Sequence, residues 1–358
     1  MELEKLLELA VKKHASDLHL IPGLSPLLRI EGSLNVLKDY PVLSSNETER
    51  MIRNMMTTEQ QETFGQKLIM EMALSFSEIG HFRVSAFHQR LGAAAVFRVI
   101  PEKAPSFEAL DLPEVLKPLL SLSHGLLLVT GPTGSGKSTT LAAMVDYING
   151  FRACNIITIE DPIEFIHYNN HSVFNQLQVG RDTPDFVTAL RASLRQDPNV
   201  ILLGELRDLE TMRLALTAAE TGHLVLATMH ACSAPLAINR FADVFPTEEK
   251  NRVRSLLSET VQAVICQTLV KKLGGGRTGI FEVMLTTSAI RHYIRQDMPS
   301  HMESTMQTSG DKGMFTLEQY AQGLVKKRMI SLQTARHATS HRDAFKEVMQ
   351  QLNKNSKS

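Results

Sequence analysis

The chain has 358 residues, 43% of them hydrophobic, with 38 basic and 38 acidic side chains and a formal net charge of zero. That length suits two domains, each able to bury a core, and the charge balance argues against a global basic field of the kind that recruits nucleic acid. Cys154, Cys232 and Cys266 are far apart and form no CxxC pair; this argues against a zinc knuckle, suits a reducing cytosol, and leaves Cys232 as a small buried apolar residue.

Met1-Glu2-Leu3-Glu4-Lys5 lacks the basic start and apolar core of a signal peptide. No apolar run approaches the ~18 residues that span a bilayer. A soluble, cytoplasmic protein is expected, touching a membrane only through partners. Leu3, Leu6, Leu7, Ala10 and Val11 recur at helical spacing over residues 1–14. Strands are expected at 15–20 and 26–30, with a turn at Glu31-Gly32-Ser33. Ser45-Asn46-Glu47 can cap a helix to about Met56, and Thr57 or Thr58 a second. Three β-like segments follow at 70–77, 81–89 and 93–100, punctuated by Gly80 and Leu91-Gly92. Residues 1–100 therefore read as a small α+β domain with an antiparallel sheet. Four of the chain's 14 prolines fall in residues 101–121, which read as an interdomain linker, extended in its early part.

Residues 122–358 read as the second domain. Leu126-Leu127-Leu128-Val129 is a buried strand, followed by Thr130-Gly131-Pro132-Thr133-Gly134-Ser135-Gly136-Lys137-Ser138-Thr139 and a helix through Val145. The loop fits G-x-x-x-x-G-K-[ST], in the strand–loop–helix setting this phosphate-binding motif requires. Glycines let successive N–H groups turn inward on phosphate oxygens, and the helix adds the positive end of its dipole. Lys137 would reach the β- and γ-phosphates of ATP, and the Ser138 hydroxyl would sit on Mg²⁺. Strands at 155–159, 200–203 and 223–229 alternate with helices at 184–196 and 208–221, the second capped by Asp208 and ended by Gly222. Uninterrupted apolar strands imply a mostly parallel sheet buried on both faces, hence an α/β nucleotide-binding core with its ligand at the carboxyl ends of the strands. From 233 the chain reads as mainly helical, apart from a strand at 278–285 after Gly274-Gly275-Gly276. The tail 353–358 reads as frayed.

Groups just past the strands are the candidates for chemistry. Glu160-Asp161-Pro162-Ile163-Glu164 packs three carboxylates into five residues, enough for a metal clamp and a group that deprotonates water. Which carboxylate is the base is not fixed by spacing. Glu205 follows four apolar residues and Gly204, the usual place of the second P-loop acid, which holds Mg²⁺ directly or through water. His223 and His230 bracket one strand; seven residues apart, they lie on opposite faces at opposite ends and cannot share a metal. His230, at the carboxyl end, suits a sensor or positioning role near the γ-phosphate. His223 is open between a structural and a site role.

In these residues the chain resembles the type IV pilus retraction ATPases, the PilT/PilU group of the type II/IV secretion ATPase superfamily. The resemblance spans nearly the whole chain: Ala15-Ser16-Asp17-Leu18-His19-Leu20, Phe82-Arg83-Val84, the phosphate loop, Thr158 to Glu164, Gly204 to Thr211, Ala218 to His223, and Ala289-Ile290-Arg291-His292-Tyr293-Ile294-Arg295, which is similar to a C-terminal motif linked to retraction. It implies a PAS-like first domain, a RecA-like ATPase second, and a ring of six chains. Glu164 would be the general base, and Glu205 the second-motif glutamate. Glu160, Asp161, His223 and His230 would lie near the nucleotide, and Arg83 and Arg98 would close on the γ-phosphate. The implied work is ATP-driven pilus retraction at the cytoplasmic face of the inner membrane, against a platform protein there. Read without the resemblance, Arg83 and Arg98 are ordinary strand arginines that aid solubility.

Some positions depart from that pattern. Thr228-Met229-His230-Ala231 stands where the family usually has Thr-Leu-His-Thr, and Ser85 where it favours asparagine. These changes keep open an accessory paralogue working with a second ATPase. A pilus-assembly or type II secretion ATPase is a further alternative, disfavoured because such chains usually carry a long N-terminal extension and a CxxC insertion. A nucleic-acid-dependent RecA-like enzyme is disfavoured by the neutral charge and the absence of tryptophan. Residues 289–296 are open between a partner surface and ordinary packing: Ile290 and Ile294 form an apolar face, Arg291 and Arg295 a basic one.

Overall fold

The computed structural model describes residues 2–30, 32–101 and 103–339. The tail 353–358 lies outside the described residues, as does Glu31 of the first expected turn. The chain divides into two units, Met1–Lys103 and Ala104–Ser358.

The first unit contains α1 (Leu3–Lys12), β1 (Asp17–Leu20), β2 (Leu27–Ile30), β3 (Ser33–Val36), α2 (Ser45–Asn54), α3 (Thr58–Lys67), β4 (Ile69–Phe76), β5 (Gly80–Gln89) and β6 (Gly92–Ile100). Its strands form one antiparallel sheet in the order β3-β2-β1-β6-β5-β4. Strand β5 alternates buried and half-exposed residues, so one face, with Phe82, Val84 and Ala86, meets Leu6, Leu7 and Ile52 from the helices. The caps of α2 and α3 are Ser44 and Thr57, each in a reciprocal capping box with Glu47 or Gln60.

The second unit contains α4 (Lys117–Leu120), β7 (Gly125–Thr130), α5 (Lys137–Asn149), β8 (Asn155–Glu160), β9 (Val173–Gln178), α6 (Phe186–Ser193), β10 (Val200–Leu203), α7 (Leu209–Glu220), β11 (Leu224–Met229), α8 (Ala234–Asp243), α9 (Thr247–Thr260), β12 (Val261–Lys271), β13 (Arg277–Leu285), α10 (Ser288–Gln296), α11 (Pro299–Thr308), α12 (Leu317–Lys326) and α13 (Leu332–Ala338). The sheet order is β13-β12-β7-β11-β10-β8-β9. All neighbours run parallel except β12 and β13. Every residue of β7, β10 and β11 is buried. Alternate side chains of β7 feed two cores, Leu126 and Leu128 on one face, Leu127 and Val129 on the other.

Three expectations need correction. Residues 101–121 are not an extended linker: Phe107, Leu112, Leu116 and Leu120 pack into the same core as Leu127 and Val129. The prolines there shape turns and open α4 rather than keep the segment free of the core. The region after 233 is not helical apart from one strand, because β12 runs for 11 residues and pairs with β7. It follows α9 directly, with no glycine or proline to mark the change. Strand β9 lies outside the expected set; its residues Val173-Phe174-Asn175-Gln176-Leu177-Gln178 mix apolar and polar side chains without a clean alternation, and none is fully buried.

Helix α10 shows how 289–296 is used. Ile290 and Ile294 are fully buried. Arg291 donates to the carbonyls of Ser258 and Glu259, and Arg295 to the Ser258 hydroxyl. These are last-turn groups of α9, whose orphan carbonyls Arg291 satisfies while Arg295 holds the Ser258 side chain. Packing therefore accounts for both faces of the motif.

Candidate functional site

Because the central strands are parallel, their carboxyl ends converge on one edge of the sheet. β7 ends there in the phosphate loop, where Gly131, Gly134 and Gly136 all have positive φ (148°, 77° and 87°). Gly131 must be glycine for space as well: a Cβ there would lie 2.2 Å from the carbonyl oxygen of Gln267. Pro132, Thr133 and Gly134 are exposed at the loop's tip, while Ser135 is buried. Lys137 opens α5 with Ser138 and Thr139 beside it, and its Nζ donates to the carbonyls of Gly131 (3.0 Å) and Pro132 (3.1 Å). Burial holds its pKa below the usual lysine range, partly countered by the Glu205 carboxylate.

Two further strand ends meet Lys137. Glu205, just past β10, points one carboxylate oxygen at His230 Nε2 (3.0 Å). The other oxygen accepts from Arg207 Nε (2.8 Å) and Nη2 (2.7 Å). His230, just past β11, places Nδ1 3.5 Å from Lys137 Nζ. One imidazole therefore links the second-motif glutamate to the phosphate-loop lysine. Arg240 of α8 donates to the His230 carbonyl at 2.7 Å and fixes that corner. Asp208 caps α7 through the Thr211 N–H (2.8 Å), setting the turn that carries Glu205 and Arg207.

The acidic cluster follows β8. Glu160 accepts from the Thr158 hydroxyl (2.7 Å) and Gln176 Nε2 (3.3 Å). Burial raises its pKa, opposed by those hydrogen bonds and by the Glu164 N–H. Asp161 and Glu164 are exposed, while Ile163 and Phe165 are buried and pin the segment to the sheet. Asp161 also acts electrostatically on Arg207, bringing this cluster toward Glu205.

Some sequence candidates fall elsewhere. His223 precedes β11, its Nδ1 at 3.0 Å from the Ala218 carbonyl, and its own carbonyl accepts from Gly125 at the start of β7. A strand of six residues, roughly 20 Å at ~3.3 Å per residue, separates it from the phosphate-loop edge, so within this chain His223 does not join the site. Arg83 and Arg98 face each other across β5 and β6 in the first unit. Arg83 pairs with Glu71 (3.2 Å) and Arg98 with the buried Asp17 (3.0 Å). Cys232 is exposed, not buried; Cys266 is the buried one, its thiol pushed up to about 12 chiefly by burial.

The sequence assigns no role to Arg207, Arg240 or Gln267: Arg207 acts on Glu205 two residues away and Arg240 on His230 ten away, while Gln267 reaches Ser135 across 132 residues. A cavity of about 340 Å³ also adjoins the loop, lined among others by Gly136, Thr139, Leu269, Arg277 and Phe281. Among the described residues no three His, Cys, Asp or Glu side chains gather as a self-sufficient metal site. The donors at the loop, the Ser138 hydroxyl and the Glu205 carboxylate, fit a cation that takes one or two protein oxygens and shares its remaining positions with phosphates and water.

Residues 1–275 match the family described as Type II/IV secretion system protein. The chain belongs to that family. It is 50% identical to the type IV pilus retraction ATPase PilT of Pseudomonas aeruginosa, over 94% of this chain and 97% of that one. It is 40% identical to the type IV pilus ATPase PilU of the same organism, over 96% of this chain and 90% of that one. A crystal structure of the pilus retraction motor PilT with bound ADP superposes with a TM-score of 0.90 at 40% identity, covering 95% of this chain and 98% of that one. The fold is thus that of a P-loop ATPase of the pilus retraction kind. No helix among the described residues is long and apolar enough to cross a membrane.

Proposed function

We propose that this chain hydrolyses ATP to ADP and phosphate to drive retraction of type IV pili, the activity that underlies twitching motility. The observation that carries the reading is the link Glu205–His230–Lys137 at the carboxyl edge of the sheet, 3.0 Å on one side and 3.5 Å on the other. It joins a phosphate-loop cation to an acid suited to organising the attack on a phosphate. In the ADP-bound relative the same fold holds the product nucleotide. The loop N–H groups and Lys137 bind the phosphates, and the cavity beside Gly136 and Phe281 suits the nucleoside. Ser138 and Glu205 would hold magnesium, which when bound neutralises charge on the phosphate oxygens. Glu164, exposed in the loop after β8, is the base assigned to take the proton of the attacking water. His230 positions Glu205 and senses the state of Lys137. Arg83 and Arg98 are the arginines assigned to stabilise charge developing on the γ-phosphate.

The working unit is a ring of six copies at the cytoplasmic face of the inner membrane, pulling on a platform protein. The first unit is a PAS-like module. Identity of 50% to PilT against 40% to PilU favours the principal motor over an accessory paralogue. Steady-state ATP hydrolysis beside Glu205→Ala, with mass in solution, tests the proposal. A hexamer whose turnover is lost in the variant while ADP binding persists supports it; a monomer that binds ATP without turnover overturns it.

A further inference from the structure

Gln267 lies in mid-strand on β12 and is 2% exposed. β12 pairs with β7 so that Cys266 stands opposite Thr130. The phosphate loop therefore leaves β7 directly over Gln267. One hydrogen bond and two close approaches join them. Gln267 Nε2 donates to the carbonyl oxygen of Ser135 at 2.7 Å, between segments 132 residues apart. The Gln267 carbonyl sits 2.2 Å from where a Cβ on Gly131 would lie, and its Nε2 is 3.3 Å from where one on Gly136 would lie.

The hydrogen bond has a directional consequence. The Ser135–Gly136 peptide is trans, so its C=O and N–H point to opposite sides. With the carbonyl held inward by Gln267, the Gly136 N–H is turned outward, to the face where the loop's N–H groups gather on an anion. Gly136 itself has φ of 87°, and a glycine beside a peptide leaves that peptide free to flip. A flip would present the Ser135 carbonyl, a negative dipole end, to the phosphates. The amide orientation is fixed by chemistry, since only the NH₂ end can donate to a carbonyl.

We propose that Gln267 is a positioning residue for the nucleotide: it locks the Ser135–Gly136 peptide so that the Gly136 N–H faces the phosphates. The proposal rests on the phosphate-loop reading above. An N–H aimed at a phosphate acts alike on bound substrate and transition state, so its loss raises KM and leaves kcat nearly unchanged.

The test uses the full chain and its Gln267→Met and Gln267→Glu variants, with ADP affinity by calorimetry and ATP turnover. In Gln267→Met the Kd for ADP and the KM for ATP rise about tenfold to hundredfold, the range of a hydrogen bond to a charged group, while kcat stays within about threefold. Gln267→Glu binds ADP at least as weakly as Gln267→Met at pH 8, where a carboxylate cannot donate and adds a negative charge beneath the phosphates. Its ADP affinity relative to wild type recovers as pH falls toward about 5.5, because a protonated carboxyl can donate to the Ser135 carbonyl. A side chain that only fills space would shift the melting temperature without this split or this recovery. KM within twofold of wild type in a folded Gln267→Met overturns the proposal. So does a fall in kcat at constant KM, or failure of both variants to fold, which makes Gln267 a packing residue. Wild-type chain that binds no ADP, like Lys137→Ala, sinks the phosphate-loop reading itself; wild type that binds while both variants match it sinks only the role of Gln267.

Discussion

Glu282 offers a quantitative test of how this core handles charge. It lies in β13, 5% exposed, opposite Cys266 on β12. Its carboxylate accepts the Ala234 N–H at 2.6 Å and the Leu317 N–H, so one side chain holds the first turns of α8 and α12. Burial is the largest influence on it and pushes the carboxyl up to about 7; Glu318 and Glu303 push the same way, the two N–H groups the other. The folded state thus favours the protonated form. The stability this provides is complete below the unfolded value of 4.5 and is lost as pH rises through about 7. At 1.36 kcal/mol per pKa unit the span is worth about 3 kcal/mol. Glu282→Gln keeps an acceptor for both N–H groups and stays neutral at every pH. Its melting temperature should match wild type near pH 4.5 and exceed it by several degrees at pH 8.5, at about 2–4 °C per kcal/mol for a unit of this size. Thermal unfolding across that range, with ADP absent, reads the difference. A variant destabilised equally at both ends would refute the reasoning, because it would mean that the two N–H donors outweigh burial and hold the carboxylate ionised.

Other outcomes follow from the site and its supports. Glu164→Gln should lower kcat by about 10²–10⁴, the usual worth of a general base, with ADP affinity within twofold; single-turnover hydrolysis beside calorimetry checks it. Gly131→Ala forces a Cβ to 2.2 Å from a backbone oxygen at a φ of 148°, and should lower stability by at least ~2 kcal/mol and abolish the thermal shift that ADP gives wild type. Arg291→Ala strips the Ser258 and Glu259 carbonyls of their donor and should destabilise by about 1–3 kcal/mol in denaturant, with ADP affinity unchanged.

What could be read from the sequence follows from how locally each feature is determined. The phosphate loop declares itself because its glycines, lysine and flanking strand and helix are contiguous. Glu205 and His230 were legible because parallel strands deliver their next residues to one edge, so a strand end is a position in space as well as in sequence. The same rule explains His223: it brackets the same strand but at the amino end, and only the carboxyl end meets the loop. The proline-rich stretch misled because proline reports backbone shape and not burial; Phe107, Leu112 and Leu116 between those prolines carried the packing signal. The arginines of α10 stay open between two uses in the sequence, since their use depends on the end of α9, a partner that no local pattern names.

Gln267 marks the limit of the strand-end rule. β12 continues to Lys271, past the level at which β7 stops at Thr130, so the residue level with the phosphate loop is in mid-strand and not just beyond an end. A longer strand beside a shorter one places ordinary ladder residues against the loop that its neighbour has just released. The backbone of β12 is occupied there with pairing, and its side chains become the natural supports for the loop's inward-facing carbonyls. A buried donor is then needed, and an uncharged one, because a lysine beneath the loop would compete with Lys137 for the same phosphates and a carboxylate would repel them. Glutamine meets both demands, which is why an amide at this position is better explained by the geometry of the phosphate loop than by the packing of the core.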